Sequence, residues 1–215
     1  MSNPRRYSLV LASASPRRQE LLNSVRATFS VEVADIEEKR RHDEAPDQYV
    51  ERLAAEKAHA VRLRQNAATS SSVVIIAADT IVVNGADMTQ VLEKPQSFAD
   101  AQRMWSSLSG SEHVVMTGVC VNAPDLAADI APNLATSFCC STEIVKSIVK
   151  MATISTESMQ RYWDSGEPHD KAGGYALQGM ASAWVRSISG SSSNIVGLPM
   201  YETNALLRPY HLNWL

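Results

Sequence analysis

A nearly continuous apolar run from Val73 to Val83 constrains the fold of this chain more than any other feature. The run is rich in β-branched valine and isoleucine, and only Asp79 and Thr80 interrupt it. A run of this length and composition, followed by Asn84-Gly85, is typical of a strand that is buried on both faces and ends in a turn. It therefore predicts a central strand that turns toward a second, short strand at Val91-Leu92.

Further strands and helices alternate irregularly on either side of this segment. Strands are predicted over Tyr7 to Ala12, His113 to Val121, Thr136 to Val149, Tyr175 to Gln178 and Trp184 to Ile188. Helices are predicted over Arg17 to Ser24 (after Ser15-Pro16), Ala45 to Leu63, Ser97 to Leu108, Ser155 to Trp163 and Pro199 to Leu207. The irregular alternation favours a mixed α/β or α+β sheet over a regular doubly wound one. At 215 residues, we expect one domain that spans residues 1–215.

The charge balance and the hydrophobic pattern exclude several classes of partner. A net charge of −3 provides no long-range attraction for nucleic acid or for an anionic membrane. No apolar run approaches the roughly 20 residues of a membrane-spanning helix, and the polar residues 1–6 show no secretory signal. The three cysteines, Cys120, Cys139 and Cys140, are interpreted as buried small side chains in a reducing compartment, not as a disulfide framework or a zinc site. These observations predict a cytoplasmic protein with no nucleic-acid or membrane partner.

Common catalytic signatures are missing from the sequence. It contains no P-loop, no dinucleotide-binding glycine motif, no nucleophile elbow and no zinc-protease helix. The five histidines are dispersed along the chain, which is typical of surface or core residues and not of metal ligands. Any phosphate recognition must therefore come from a few individually placed cations.

The first segment with candidate chemistry is Ser13-Ala-Ser15-Pro16-Arg17-Arg18, directly after the first predicted strand. Serine hydroxyls, helix N–H groups and two guanidiniums in this position are suited to a polyphosphate. The alternative is that the two arginines are solvated side chains that reach toward nearby carboxylates.

Three further polar positions are candidates for the same site. Asp79 is a carboxylate within an apolar strand, so it is either paired structurally or serves as a metal ligand or general base. Lys94 precedes a proline at a strand end, where it is either a surface residue or a point charge for phosphate oxygens. Gln178 follows a glycine-rich segment, which is either an ordinary hairpin or a place where an amide reads a base edge.

In their order along the chain, these segments resemble the Maf family of nucleotide pyrophosphatases, also called septum-formation proteins. The resemblance covers nearly the whole chain, from Leu11–Leu22 to Val196–Thr203. The matching segments between these ends are Ile36-Glu37-Glu38, Ala55-Glu56-Lys57-Ala58, Ala78-Asp79-Thr80, Glu93-Lys94-Pro95, Leu108-Ser-Gly110 with His113, and Asp170–Gly173 with Gln178-Gly179. The sequence departs from the family at Ala77, Gly174 and Ser192, where a glycine, an alanine and a tyrosine are usual, and none of these is a charged catalytic position.

The resemblance implies a fold similar to that of inosine triphosphate pyrophosphatases, with an elongated mixed sheet flanked by helices and two lobes around a central cleft. It implies hydrolysis of a nucleoside triphosphate to the monophosphate and pyrophosphate with Mg²⁺ or Mn²⁺, which would keep unwanted nucleotides out of nucleic acids. Asp79, Glu38 and Lys94 match the family's catalytic positions, and Asp79 and Glu38 match its metal ligands. The substrate-binding positions match Ser13, Arg17, Arg18, Lys57 and Gln178. Which of the two carboxylates is the base stays open.

The segment from Asp170 to Gly179 resembles the branch of the family that acts on dTTP and UTP, whereas the 7-methyl-GTP branch has glutamate at the position of Gln178. Two other functions are alternatives to this one. A Nudix hydrolase would need a glutamate-rich helix after a glycine loop, and none follows Gly166 to Gly174. A nucleotide-binding regulator of cell-division arrest without turnover is the second, although binding alone does not require two carboxylates beside a triphosphate. The oligomeric state is also open, with a homodimer as one option.

Overall fold

A computed structural model describes residues 7–66, 71–126 and 137–215 of the chain. Its strands are β1 (Ser8–Leu11), β2 (Phe29–Val31), β3 (Val73–Asn84), β4 (Val91–Leu92), β5 (Glu112–Pro124), β6 (Phe138–Met151) and β7 (Val185–Ser189). Its α-helices are α1 (Pro16–Ser24), α2 (Pro46–Arg62), α3 (Phe98–Leu108), α4 (Thr156–Asp164), α5 (Ser192–Val196) and α6 (Met200–Leu207). Short 3₁₀ helices occupy Glu167–Asp170, Ala172–Gly174, Met180–Trp184 and Arg208–Tyr210. None of the helices in the described ranges is long and apolar enough to cross a membrane. Thr136, where one predicted strand begins, lies outside the described residues.

The strands form one seven-stranded sheet in the order β2-β1-β3-β5-β6-β7, with β4 paired to β3. β1 runs parallel to both β2 and β3, and the remaining pairs are antiparallel. β3 is the strand predicted from the apolar run, and it pairs with β5 from Ile75 opposite Asn122 to Asn84 opposite His113. The predicted mixed α/β fold around this central strand is confirmed.

Helix α2 packs against β3 and β5 through small side chains such as Ala54 and Ala58, which are fully buried. The helix approaches the sheet closely at Gly118 on β5, where an added Cβ would lie 2.5 Å from the carbonyl oxygen of Val50. No residue larger than glycine fits there without moving the helix. Since Gly118 lies opposite Asp79 in the sheet register, this contact sets the height of α2 above the part of β3 that carries the candidate catalytic carboxylate.

The segment from Tyr175 to Gln178 is not a strand, so that prediction is wrong. Gly173 and Gly174 both have a φ of +65°, which turns the chain away from an extended path. The Ala176 N–H then donates to the hydroxyl of Tyr162 at 3.2 Å. In a strand it would donate instead to a backbone carbonyl oxygen of the neighbouring strand. Helix α5 was also not predicted, because its five residues lie in a serine-rich segment between Gly190 and Gly197 that is typical of a loop.

Two of the three cysteines are paired, which contradicts the prediction of unpaired thiols. A disulfide joins Cys120 on β5 to Cys140 on β6, and Cys139 is free. Cys120 lies opposite Thr142 and Cys140 lies opposite Asn122, so the two cysteines are diagonal neighbours with their Cα atoms 6.4 Å apart. This separation is within the range that a disulfide spans. The pairing depends on the register of two strands, which the number and spacing of cysteines do not reveal.

Candidate active site

A cavity of about 400 Å³ lies beside the turn that joins β1 to α1. The middle of β3 and the irregular segment after α4 form its other walls. All eight side chains singled out in the sequence line this cavity: Ser13, Arg17, Arg18, Glu38, Lys57, Asp79, Lys94 and Gln178. The fold therefore brings together positions that lie far apart in the sequence.

Lys57 links the two candidate catalytic carboxylates. Its Nζ lies 2.7 Å from Oδ1 of Asp79 and 2.9 Å from Oε1 of Glu38. The side chains of Lys57 and Asp79 are 7% and 9% exposed, whereas that of Glu38 is 44% exposed and so more accessible to a ligand. Burial alone would raise the pKa of the Glu38 carboxyl, but Lys57, Lys94 and Arg18 together hold that pKa below its ordinary value. Glu38 is therefore ionised at neutral pH.

An ion pair that the sequence analysis did not single out holds the loop that carries Glu38. Arg52 on α2 donates to the carboxylate of Glu44 (Nη2 to Oε2, 2.8 Å) and to the carbonyl oxygen of Lys39 (3.0 Å). The hydrogen bond from Arg52 lowers the pKa of Glu44 to about 2, so the pair is ionised at neutral pH. Tyr49 adds a hydrogen bond of 3.3 Å to the carbonyl oxygen of Glu38. These contacts fix the backbone at Glu38 and directly after it.

Arg18 joins the turn after β1 to two other parts of the chain. Its Nε donates to the Gly197 carbonyl oxygen at 2.7 Å, its Nη1 to Ser13 Oγ at 3.1 Å and its Nη2 to Thr80 Oγ1 at 3.2 Å. Burial lowers the pKa of its guanidinium, while two nearby carboxylates act in the opposite direction. Arg18 therefore builds the cavity wall in addition to placing positive charge there.

Arg17, Lys94 and Gln178 line the cavity without being engaged by the protein. Within the part of the chain that the structure describes, none of their side chains forms a hydrogen bond or an ion pair. Gln178 is exposed, and Arg17 is half-buried. Two cations and an amide that face a cavity in this way are free to contact a ligand.

A chain of buried hydrogen bonds behind the cavity was missed by the sequence analysis. Thr80 Oγ1 lies 2.9 Å from Thr117 Oγ1, and the Thr117 hydroxyl donates to the Asn194 carbonyl oxygen at 3.0 Å. Asn194 is fully buried, and its amide donates to the Val115 carbonyl oxygen and to Ser147 Oγ. The available sequence signal was Thr117, a polar residue within an apolar strand. This chain anchors α5 to the sheet directly behind Thr80.

A cavity in which unengaged cations lie beside paired carboxylates has the charge and the donors that suit a compact polyanion. The sequence profile of the Maf-like proteins matches residues 8–210, and the chain belongs to this family. It is 45% identical over 202 residues to the dTTP/UTP pyrophosphatase of Vibrio cholerae, an alignment that covers 94% of this chain and 97% of that protein. It is 43% identical over 208 residues to the dTTP/UTP pyrophosphatase of Hahella chejuensis, with coverage of 97% and 94%. The family predicted from the sequence motifs is confirmed.

Proposed function

We propose that this protein hydrolyses dTTP and UTP to the nucleoside monophosphate and pyrophosphate. The observation that carries the proposal is the single cavity in which Asp79 and Glu38, paired through Lys57, lie beside the unengaged cations Arg17 and Lys94. The two relatives named dTTP/UTP pyrophosphatase, which are 43–45% identical over most of this chain, support both the reaction and the bases. An activity of this kind would keep unwanted nucleotides out of nucleic acids.

In the proposed reaction, water attacks the α-phosphorus and the bond to the β-phosphate breaks, with pyrophosphate as the leaving group. We assign to Asp79 the acceptance of the water's proton, since Lys57 holds its carboxylate in place. Arg17 and Lys94 neutralise charge on the phosphates and on the departing pyrophosphate. Such electrostatic stabilisation supplies most of the acceleration in phosphoryl transfer.

The donor set of the cavity fits a divalent cation. Asp79 and Glu38 would hold Mg²⁺ or Mn²⁺, because both ions prefer carboxylate oxygens. Among the described residues, no group of three or more His, Cys, Asp or Glu side chains is arranged to hold a metal. Mg²⁺ is usually bound by one or two carboxylates together with substrate phosphates. When bound, the ion supplies positive charge beside the phosphates and lowers the pKa of water.

Gln178 is the residue proposed to distinguish the bases. Its amide can donate to O4 of uracil or thymine while it accepts from N3–H, and cytosine presents the inverse pattern. The Gln178 side chain is exposed, so its amide contacts water until a base covers it. Discrimination therefore depends on the base covering the amide. We expect kcat/KM for UTP to exceed that for CTP about 10-fold. This is near the lower end of what a cost of about 1–3 kcal/mol for a mispaired polar group would give.

The compartment and the partners of the protein are also proposals. We propose the cytoplasm as the compartment, because nucleoside triphosphates are consumed there. Its reductants would favour the reduced form of the Cys120–Cys140 pair, with two free thiols. No nucleic-acid partner is proposed, given the net charge of −3. A homodimer is one option for the oligomeric state, and light scattering distinguishes it from a monomer. The alternative of a division-arrest regulator without turnover has no observation of its own in its favour.

Steady-state release of pyrophosphate from a panel of triphosphates tests the proposed function. The panel contains dTTP, UTP, CTP, GTP and 7-methyl-GTP, each supplied with and without Mg²⁺. We expect pyrophosphate from dTTP and UTP, and only when Mg²⁺ is present. Nucleotide binding by calorimetry without release of pyrophosphate from any member of the panel would contradict the proposed hydrolysis and favour a nucleotide-binding protein without turnover.

A further inference from the structure

One carboxylate, that of Glu167, holds the backbone on both sides of Gln178. Its Oε2 accepts a hydrogen bond from the Met180 N–H at 3.0 Å, two residues after Gln178. Its Oε1 accepts from the Tyr162 hydroxyl at 2.8 Å. That hydroxyl in turn accepts from the Ala176 N–H at 3.2 Å, two residues before Gln178. Glu167 and Tyr162 therefore fix the chain at both flanks of the proposed base-reading residue.

Gly179 shows how closely the Glu167 carboxylate approaches this segment. A Cβ added at Gly179 would lie 2.0 Å from Oε1 of Glu167, so no side chain fits at this position while the carboxylate is in place. Tyr162 is 2% exposed, and burial together with its bond to Glu167 raises the pKa of the hydroxyl, which stays protonated and donates. The residues from Tyr175 to Gly179 belong to no strand. Hydrogen bonds to the Glu167 and Tyr162 side chains therefore hold this segment, in place of the backbone hydrogen bonds that hold a strand in a sheet.

We propose that Glu167 is a positioning residue for Gln178 and thereby sets the discrimination between uracil or thymine and cytosine. This inference rests on the proposed function, since it requires Gln178 to read the base. A side-chain amide distinguishes two base edges only while its donor and acceptor are held in place, and a misplacement of about 1 Å is enough to matter in an active site. Glu167 does not line the cavity, so it acts through Gln178 and not on the substrate.

Loss of the carboxylate should lower selectivity more than turnover. For Glu167→Ala we expect the ratio of kcat/KM for UTP to that for CTP to fall about 3- to 10-fold, mostly through a higher KM for UTP. Glu167→Gln should recover part of this ratio, because its carbonyl oxygen can accept from the Met180 N–H while its NH₂ group donates to the Tyr162 oxygen. A merely structural role would instead lower kcat for both nucleotides alike and leave the ratio unchanged.

A double-mutant cycle tests the inference. The constants kcat and KM for UTP and CTP are measured in the wild type, Glu167→Ala, Gln178→Ala and the double variant. Glu157→Ala is the matched control, because Glu157 is a glutamate on α4 whose side chain is 80% exposed. We expect Glu167→Ala to reduce selectivity when Gln178 is present and to have no further effect on it when Gln178 is absent. An unchanged ratio in Glu167→Ala, or an equal loss in both backgrounds, would overturn the proposal.

The same measurements separate a failure of this inference from a failure of the proposed function. If the wild type cleaves UTP and CTP equally, Gln178 does not read the base and the role of Glu167 falls with it. If the wild type discriminates and Glu167→Ala discriminates equally well, only the positioning role is overturned. If Glu167→Ala does not fold, Tyr162→Phe, which removes the link to the Ala176 N–H, takes its place in the cycle with the same expected and contrary outcomes.

Discussion

The Nζ atom of Lys57 on α2 lies 2.7 Å from Oδ1 of Asp79 on β3, in the wall of the cavity. The close contact of α2 with Gly118, which lies opposite Asp79, sets the separation of the two elements. Because Lys57 also contacts Glu38 at 2.9 Å, removing the charge of Asp79 leaves the ammonium paired with the other carboxylate. A substitution at Asp79 should therefore lower turnover more than it lowers the melting temperature of the protein.

Asp79→Asn is expected to lower turnover by about 10²–10⁴-fold, the range for loss of a positioned acid–base group. Its response to Mg²⁺ should also weaken, since Asp79 is a proposed ligand. Pyrophosphate release and the melting temperature measure the two effects, and Asp87→Asn in an exposed loop is the control. Turnover near that of the wild type with an unaltered response to Mg²⁺ would remove Asp79 from its assigned role.

Arg17→Ala and Arg18→Ala should differ in their effect on stability. Each should raise KM for every triphosphate about 10- to 100-fold, which corresponds to about 1.5–3 kcal/mol for a lost charge-assisted hydrogen bond. Only Arg18→Ala should also lower the melting temperature, because the Arg18 guanidinium bonds to Ser13, Thr80 and Gly197. Kinetics and thermal unfolding of both variants check this. An increase in KM confined to one base would show that the arginines do not bind phosphate.

Gln178→Glu should lower kcat/KM for dTTP and UTP by about 10-fold, because a carboxylate cannot donate to O4. The value of kcat/KM for CTP should fall less, because the amino group of cytosine needs an acceptor and a carboxylate provides one. Competition between UTP and CTP in one reaction measures the change in ratio directly. Wild-type cleavage of CTP as efficient as that of UTP, or of 7-methyl-GTP better than either, would show that Gln178 does not have this role.

His113 should make the fold less stable as the pH falls from about 6.5 to about 4. Its Nε2 lies 2.7 Å from the Tyr175 hydroxyl, and burial lowers its pKa from 6.5 to about 4. In this window the unfolded chain binds a proton that the folded chain does not, so stability is present above pH 6.5 and is lost on acidification. A shift of this size corresponds to about 3 kcal/mol. Urea unfolding from pH 7.5 to pH 4.5 should show this slope in the wild type and lose it in His113→Gln, and equal slopes in both would contradict the assignment.

The sequence predicts the features that depend on local pattern. The apolar run around Asp79 identifies the central strand, and the order of Ser13, Lys57 and Asp79 with their neighbours identifies the family and the cavity-lining side chains. A carboxylate inside such a run is conspicuous because burying it is costly unless it is paired. In the structure Lys57 provides this pairing.

Features that depend on tertiary contacts could not be predicted in this way. The disulfide between Cys120 and Cys140 follows from the register of β5 and β6. The irregular path after Gly173 follows from two successive positive φ angles. Glu167 looks like a surface residue in sequence, because its partner Met180 is brought to it only by that path.

Hydrolysis of dTTP in H₂¹⁸O, with the products resolved by chromatography and mass spectrometry, tests the proposed reaction most directly. We expect dTMP that carries the label together with unlabelled pyrophosphate, because water is proposed to attack the α-phosphorus. Formation of dTDP and orthophosphate, or appearance of the label in pyrophosphate, would contradict the proposed cleavage.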